Sequence, residues 1–516
     1  MSAPAAAAKL VRNTLVNGVG TVIGILVGLL LTPFLIDQLG LEAYGVWALA
    51  LTLTFSGGYA SLSELGIEGA TVRYVAEATA DDDVQELNVT VCTSLAVFCV
   101  IALIMSLVAV VLAHPLVLLF GVPPHLQGAA TTCFMLVGGQ LSLELPARAF
   151  VAVLEGTQKF IVYQSVELGR ALLQAALYVL VLLKGWGIAG LGGALVASSL
   201  VALIAYWILA HRAVAGLRAS PFRARRAELT RLVRFGGGVF SLRLVSTVYN
   251  QMDRAIVGVA LGPRSVGLYE IANKINLSAA TITSVSVSAV VPAAAALRRE
   301  AALVRDMFVR GSCYATAASL PFAVAAFIFA KPLLLSWIGP SAAPAVGAAR
   351  LFVAYEALQV VNNVGSTMIY GLGKIRFPLI VNTAATSLNL VLSIALVHTL
   401  GFSGVIVGTL VANGIGWPLL LWYYLREFDC PLGMWFRRLV APNMPGFVLQ
   451  VGVSLVLYAA VGQNTRSLAV AALLFAVSVA VSLLTFVMLG VRGDDRRALL
   501  DTLRQAASRP RREAPA

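Results

Sequence analysis

The chain has 516 residues, of which 59% are hydrophobic and only 12% charged, a balance that excludes an ordinary soluble domain. Its formal charge of +13 would suit a nucleic-acid partner only if the basic residues formed a patch, and they are spread along the whole chain. The composition is that of an all-α polytopic membrane protein.

Apolar stretches long enough to cross a hydrocarbon core of about 30 Å recur from end to end. Fourteen are predicted, at 14–36, 44–66, 89–113, 128–154, 161–183, 187–210, 235–260, 266–295, 312–335, 345–371, 377–399, 403–425, 445–462 and 467–490. The first is too long and too rich in glycine for a cleaved signal peptide. Alternate connections carry most of the arginine. The segment 211–234 holds Arg212, Arg218, Arg223, Arg225, Arg226, Arg231 and Arg234, whereas the opposite face has only Lys184, Arg264, Lys331, Arg350 and Arg466. By the positive-inside rule, both termini are expected in the cytoplasm. The five cysteines have no metal-ligand spacing and read as small packing residues, so no metal site is expected, and no cofactor motif is present.

The chain repeats itself. "LAHPLVLLFGVPP" at 112–124 returns as "FAKPLLLSWIGPS" at 329–341, an offset of 217. "LGLEAYGVWALA" at 39–50 faces "LGPRSVGLYEIA" at 261–272, and "GIAGLGGALVA" at 187–197 faces "GFSGVIVGTLVA" at 401–412. Three collinear matches at corresponding helix positions imply that the first six helices resemble the next six. Because six is even, the two sets start on one side of the membrane, as in parallel-repeat transporters. The expected organisation is a six-helix bundle at 1–218, a second at 219–440, two further helices at 441–490 and a basic cytoplasmic tail at 491–516, with a central cleft between the bundles.

A charge at the centre of a membrane helix costs at least about 2.5 to 3.5 kcal/mol, so such residues face the bundle interior. They fall in stripes. Helix seven aligns Arg243, Thr247, Asn250 and Arg254 on one face; helix four carries Gln140, Glu144 and Arg148; helix five carries Glu167 and Arg170. Gln359 on helix ten, Asn389 on helix eleven and Lys274 on helix eight extend the polar set to the second repeat. Arg243 has no acid within reach along its own helix, which points to a cavity or an anionic ligand. Arg148 and Arg170 each have a local acid, as does Lys274 in Glu270. The fork of the guanidinium suits phosphate oxygens, so a phosphate-bearing cargo is expected at Arg243, Arg148, Arg170, Asn250, Arg254, Lys274, Gln359 and Asn389. Glu144, Glu167 and Asp253 are candidate coupling-ion sites, because an intramembrane carboxylate can gain or lose a proton on either side.

"LGIEGATVRYVAE" at 65–77, "TPFLIDQLGLEAYGVWAL" at 32–49 and "YNQMDRAIVGVALGPRSVGLYEIANKI" at 249–275 resemble the polysaccharide-transporter branch of the multidrug/oligosaccharidyl-lipid/polysaccharide exporter superfamily. The resemblance covers both six-helix sets and fades over the last two helices. It implies a MATE-like fold and a flippase. Such a protein moves an oligosaccharide on an undecaprenyl pyrophosphate carrier from the inner to the outer leaflet of a bacterial cytoplasmic membrane, alongside the polymerase and assembly proteins of its pathway. It also implies that arginines and lysines lining the cavity hold the pyrophosphate and sugars.

Two rivals fit less well. A membrane enzyme would carry an acidic or histidine site in a sizeable outer loop, and the longest predicted one, 114–127, has no acid. A cation-coupled multidrug exporter of the same fold would be expected to use an acid in helix one, which has no ionisable residue between Arg12 and Asp37. The charge asymmetry has a direct check. A cysteine placed at Ala219 should be shielded from an impermeant thiol reagent in intact cells, and one at Ser341 should react; labelling at Ala219 from outside would break the fourteen-helix topology.

Overall fold

A computed structural model describes residues 3–54, 58–287, 301–463 and 465–491. All regular secondary structure among them is helical: α1 (Ala3–Leu51), α2 (Ile67–Ala80), α3 (Val84–Leu119), α4 (Pro124–Gly139), α5 (Leu141–Gly156), α6 (Phe160–Leu183), α7 (Gly187–Ala213), α8 (Arg226–Leu261), α9 (Pro263–Val287), α10 (Ala301–Trp337), α11 (Ala345–Gly371), α12 (Arg376–Leu400), α13 (Phe402–Glu427), α14 (Leu432–Leu457) and α15 (Leu468–Thr485). Nine helical segments among the described residues are long and apolar enough to cross a membrane. The other five expected spans are largely helical over their described residues: two are interrupted, two, in α8 and α11, are too polar to qualify on length and hydropathy, and the one in α9 is described only to residue 287. The end of the eighth predicted span and the tail beyond residue 491 lie outside the described residues.

The repeat is visible in the backbone. Helices α3 and α10 carry Pro115 and Pro332 inside them, at the offset of 217 seen in the sequence. Helix α1 breaks at Gly40 (φ 76°, ψ 163°), and α8 ends at Gly262 (φ 76°, ψ 177°), 222 residues later. That combination of angles is open essentially to glycine alone, which explains why both copies write Leu-Gly at this corner.

By packing, the chain divides into two compact units, Met1–Ile271 with Asn389–Gly408 and Ala272–Leu388 with Thr409–Ala516. The first is built on a core that includes Ile67, Val91, Phe98, Leu145, Phe150, Leu154 and Tyr206. The second gathers Phe308, Val364, Met368, Trp417, Tyr424 and Trp435, with Gly365 seated directly on the Tyr424 ring. Many large apolar side chains are left exposed, among them Leu30, Leu103, Val111, Val456 and Leu489, as lipid-facing positions require.

The second predicted span, 44–66, is not one continuous helix. The helix entering it stops at Leu51, a 3₁₀ turn occupies Tyr59–Glu64, and α2 resumes after Leu65 (φ 52°) and Gly66 (φ 73°). Local chemistry accounts for the break. The hydroxyls of Thr52 and Thr54 donate to the Leu49 and Leu51 carbonyls, both at 2.7 Å, and Gly58 turns back onto the carbonyls of Thr52 and Thr54. A smaller interruption falls in the fourth span at Gln140, after Gly138 and Gly139 and before Pro146.

Glycines also set the closest approaches in the first unit. Gly66 lies against the Gly236 backbone, Gly45 against the Pro263 carbonyl, and Gly267 against the Leu41 carbonyl, where an added Cβ would come within 2.7 Å. Gly66→Ala should therefore be costly twice over, through a left-handed backbone and a clash, by roughly 2 to 4 kcal/mol in all. Gly69→Ala, on the open side of α2 with nothing within 4 Å, should be neutral or mildly stabilising. Thermal unfolding of the two purified variants makes the comparison; equal melting would remove the close contact.

Candidate functional site

The broken second span carries the polar centre of the first unit. Immediately after Gly66, α2 presents Glu68 in its first turn, and this carboxylate faces Arg148 of α5 at 3.6 Å. Arg148 also donates to Glu144 one turn earlier, at 3.2 Å, so one guanidinium bridges two acids from two helices. Gln140, at the break in the fourth span, donates from its amide nitrogen to Glu144 at 2.5 Å and to Ser199 of α7 at 2.8 Å; its buried carbonyl oxygen has no hydrogen-bond partner. On α6, Arg170 donates to Glu167 at 2.8 Å, and Tyr206 of α7 donates to the other oxygen of that carboxylate at 2.5 Å.

These groups enclose a cavity of about 10 Å³, lined by Glu144, Arg148, Glu167, Arg170, Ser199 and Tyr206, with room for about one water molecule. Arg148 is 12% exposed and Glu144 7%, so both are well removed from solvent. The cluster counts three carboxylates, Glu68, Glu144 and Glu167, against two guanidinium groups. The sequence had placed Glu144, Arg148, Glu167 and Arg170 on neighbouring helices; the structure brings them together. Glu68 stood in a quoted motif without a role, and its signal was a carboxylate two residues beyond a Leu-Gly break inside an apolar run.

A second polar group lies where α8 meets α9. Arg254 donates to Gln251 at 2.9 Å and pairs with both oxygens of Glu270. Glu270 thus has a partner on the neighbouring helix that spacing along its own helix did not show. Buried Asp253 accepts from the Tyr269 hydroxyl at 3.3 Å. Helix α8 turns its polar face to the interrupted span: Thr247 meets the Ser61 hydroxyl at 3.4 Å. By backbone position Arg243 lies one turn before Thr247 on that face, but the side chains of Arg243 and Asn250 lie outside the described residues.

The remaining candidates are dispersed. Asn389 is buried and accepts from Ser393 at 3.0 Å in the first unit, while Lys274 and Gln359 are half-buried in the second. Among the described residues no group of three His, Cys, Asp or Glu side chains is placed to hold a metal ion.

Comparison with known proteins gives this geometry a context. Residues 10–297 match the family described as polysaccharide biosynthesis protein. A curated relative, the probable flippase AglR of Haloferax volcanii, is 23% identical over 415 residues, covering 79% of this chain and 82% of its own. Among solved structures, the lipid II flippase MurJ superposes with a TM-score of 0.70 at 15% identity, covering 93% of this chain and 99% of that one. A MOP superfamily transporter from Pyrococcus furiosus superposes with a TM-score of 0.57 at 16% identity, covering 82% and 95%. The fold is therefore that of the MurJ and MATE transporters.

The cluster makes a sharp prediction. Arg148→Ala leaves Glu68 and Glu144 buried without their shared cation and should cost about 3 to 5 kcal/mol of stability. Neutralising the acids as well, with Glu68→Gln and Glu144→Gln beside Arg148→Met, should recover most of that loss. If the single Ala variant unfolds like the unmodified protein, the three side chains do not act as one network.

Proposed function

The chain belongs to the family of polysaccharide biosynthesis proteins, and from that premise we propose that it is a flippase for a lipid-linked oligosaccharide. The cargo is an oligosaccharide on an undecaprenyl pyrophosphate carrier, turned from the cytoplasmic to the outer leaflet of a bacterial cytoplasmic membrane by alternating access. The observation that carries the reading is where the family match falls. Residues 10–297 include every helix that bears an intramembrane arginine candidate: α5 with Arg148, α6 with Arg170 and α8 with Arg243 and Arg254.

Their surroundings divide the labour. Arg148, Arg170 and Arg254 are engaged by carboxylates, so they organise the interior and reach a cargo only by exchanging partners. Arg243 has no acid on its own helical face and lies beside the interruption of the second span, where irregular backbone in a membrane is tolerated because it lines a cavity. It is the residue assigned to the pyrophosphate, with Asn250 two turns further along. Lys274, Gln359 and Asn389 are assigned to the sugars. Glu144, Glu167 and Asp253 are the coupling sites: each is a carboxylate whose protonation would release a neighbouring hydrogen-bond donor. The polymerase and assembly proteins of the same pathway are its partners.

Arg243→Ala should abolish export of finished glycan while the protein reaches the membrane in normal amount. Arg243→Lys should restore part of it, because the ammonium keeps the charge and loses the two-pronged geometry. Surface glycan and membrane abundance are measured together. Normal export by Arg243→Ala at normal abundance would remove the residue from the site; loss of export in proportion to lost protein would make it structural.

A further inference from the structure

A second recess lies away from the buried cluster, at the end of α8 that the arginine-rich segment 211–234 leads into. It measures about 580 Å³ and is lined by Tyr74 of α2 and by Ala227, Thr230, Arg231, Arg234 and Phe235 of α8. Residues 227, 230, 231 and 234 share one helical face, so α8 supplies a single wall and α2 the opposite one. The volume is that of a ligand pocket.

The two arginines in the lining differ. Arg231 is held from behind by Glu86 at 2.5 Å, Glu77 at 3.4 Å and Glu228 at 3.7 Å, with its guanidinium 3.9 Å from the centre of the Tyr74 ring. Its charge is spoken for, and it serves to fix Tyr74, which meets Phe235 edge-on at 6.1 Å. Arg73 closes the far side of Phe235 at 4.8 Å and is itself paired with Glu77. Arg234 is exposed and makes no hydrogen bond or ion pair with any described residue. The recess therefore has a rigid aromatic side, no acid in its lining, and one arginine whose donors are unengaged by any described residue.

Depth restricts what can meet that arginine. Arg234 stands one residue before the seventh predicted span, the level at which lipid phosphates lie. We infer that the recess is a docking site for the phosphorylated head of the lipid-linked cargo, with Arg234 taking a phosphate and the Tyr74–Phe235 wall taking the adjoining part of the head. This rests on the flippase reading and adds a station that the cargo occupies before it enters the interior. The fork of Arg234 supplies charge-assisted hydrogen bonds, and the arginines of the neighbouring segment raise the local concentration of anions without fixing a geometry.

The test uses the full-length protein in neutral detergent, with farnesyl diphosphate as the probe and binding measured by calorimetry. Arg234→Ala should weaken binding about tenfold, as loss of a charge-assisted pair does, and Arg234→Lys should weaken it less. Arg226→Ala, also at the start of α8 but outside the recess, should stay within about twofold. Three results would overturn the inference: unchanged binding by Arg234→Ala, equal weakening by Arg226→Ala, or phosphatidylglycerol bound as tightly as the diphosphate through the same arginine. Thermal unfolding of each variant separates loss of the site from loss of the fold. Tight, Arg234-dependent binding by a protein that moves no glycan would sink the transport reading alone; transport with Arg234-independent binding would sink only this one.

Discussion

A charge inside hydrocarbon has to find its counter-charge within the protein, and the first unit is arranged around that requirement. Arg148 can sit at 12% exposure only because Glu68 and Glu144 approach from two helices. For Glu68 to reach it, α2 has to begin where it does, and that start follows from the interruption between Leu51 and Ile67. The break in the second span and the ion cluster are thus one structural decision. The same rule places Tyr206 and Arg170 on the two oxygens of Glu167, and Arg254 across from Glu270.

Much of this was legible before any coordinates. Helices announce themselves in a membrane protein because every apolar run must satisfy its own backbone, and the repeat offsets of 217 and 222 reappear as intrahelical prolines and glycine corners. Stripes of polar residues at helical spacing put Glu144 with Arg148 on one helix and Glu167 with Arg170 on the next. Pairings between helices were not legible, because periodicity reports which face a residue occupies and says nothing of what stands opposite. Glu68 and Tyr206 entered only with the fold.

The interrupted spans escaped for a different reason. Average hydropathy over 44–66 is hardly altered by Thr52, Thr54 and Gly58, yet hydroxyls bonding back to carbonyls three residues earlier weaken the helix there, and Gly58 then folds back onto the freed carbonyls. Spacing along one helix offered Glu270 only Lys274, and the turn at Gly262 brings the two-donor guanidinium of Arg254 to it as well. Two of the expected spans, in α8 and α11, were read by length although their polarity is what equips them for a site.

The contact between residues 41–45 and 263–267 has a form worth following. Gly45 lies on the Pro263 carbonyl and Gly267 on the Leu41 carbonyl, and each partner is displaced from its counterpart by 222 residues. A self-reciprocal contact of this kind is what two identical subunits make across a two-fold axis, where a single gene position serves both sides at once. In a symmetric dimer any bulkier residue would strike such a seam twice. In one chain the two glycines are separate positions, so one side of the seam can be loosened while the other stays tight.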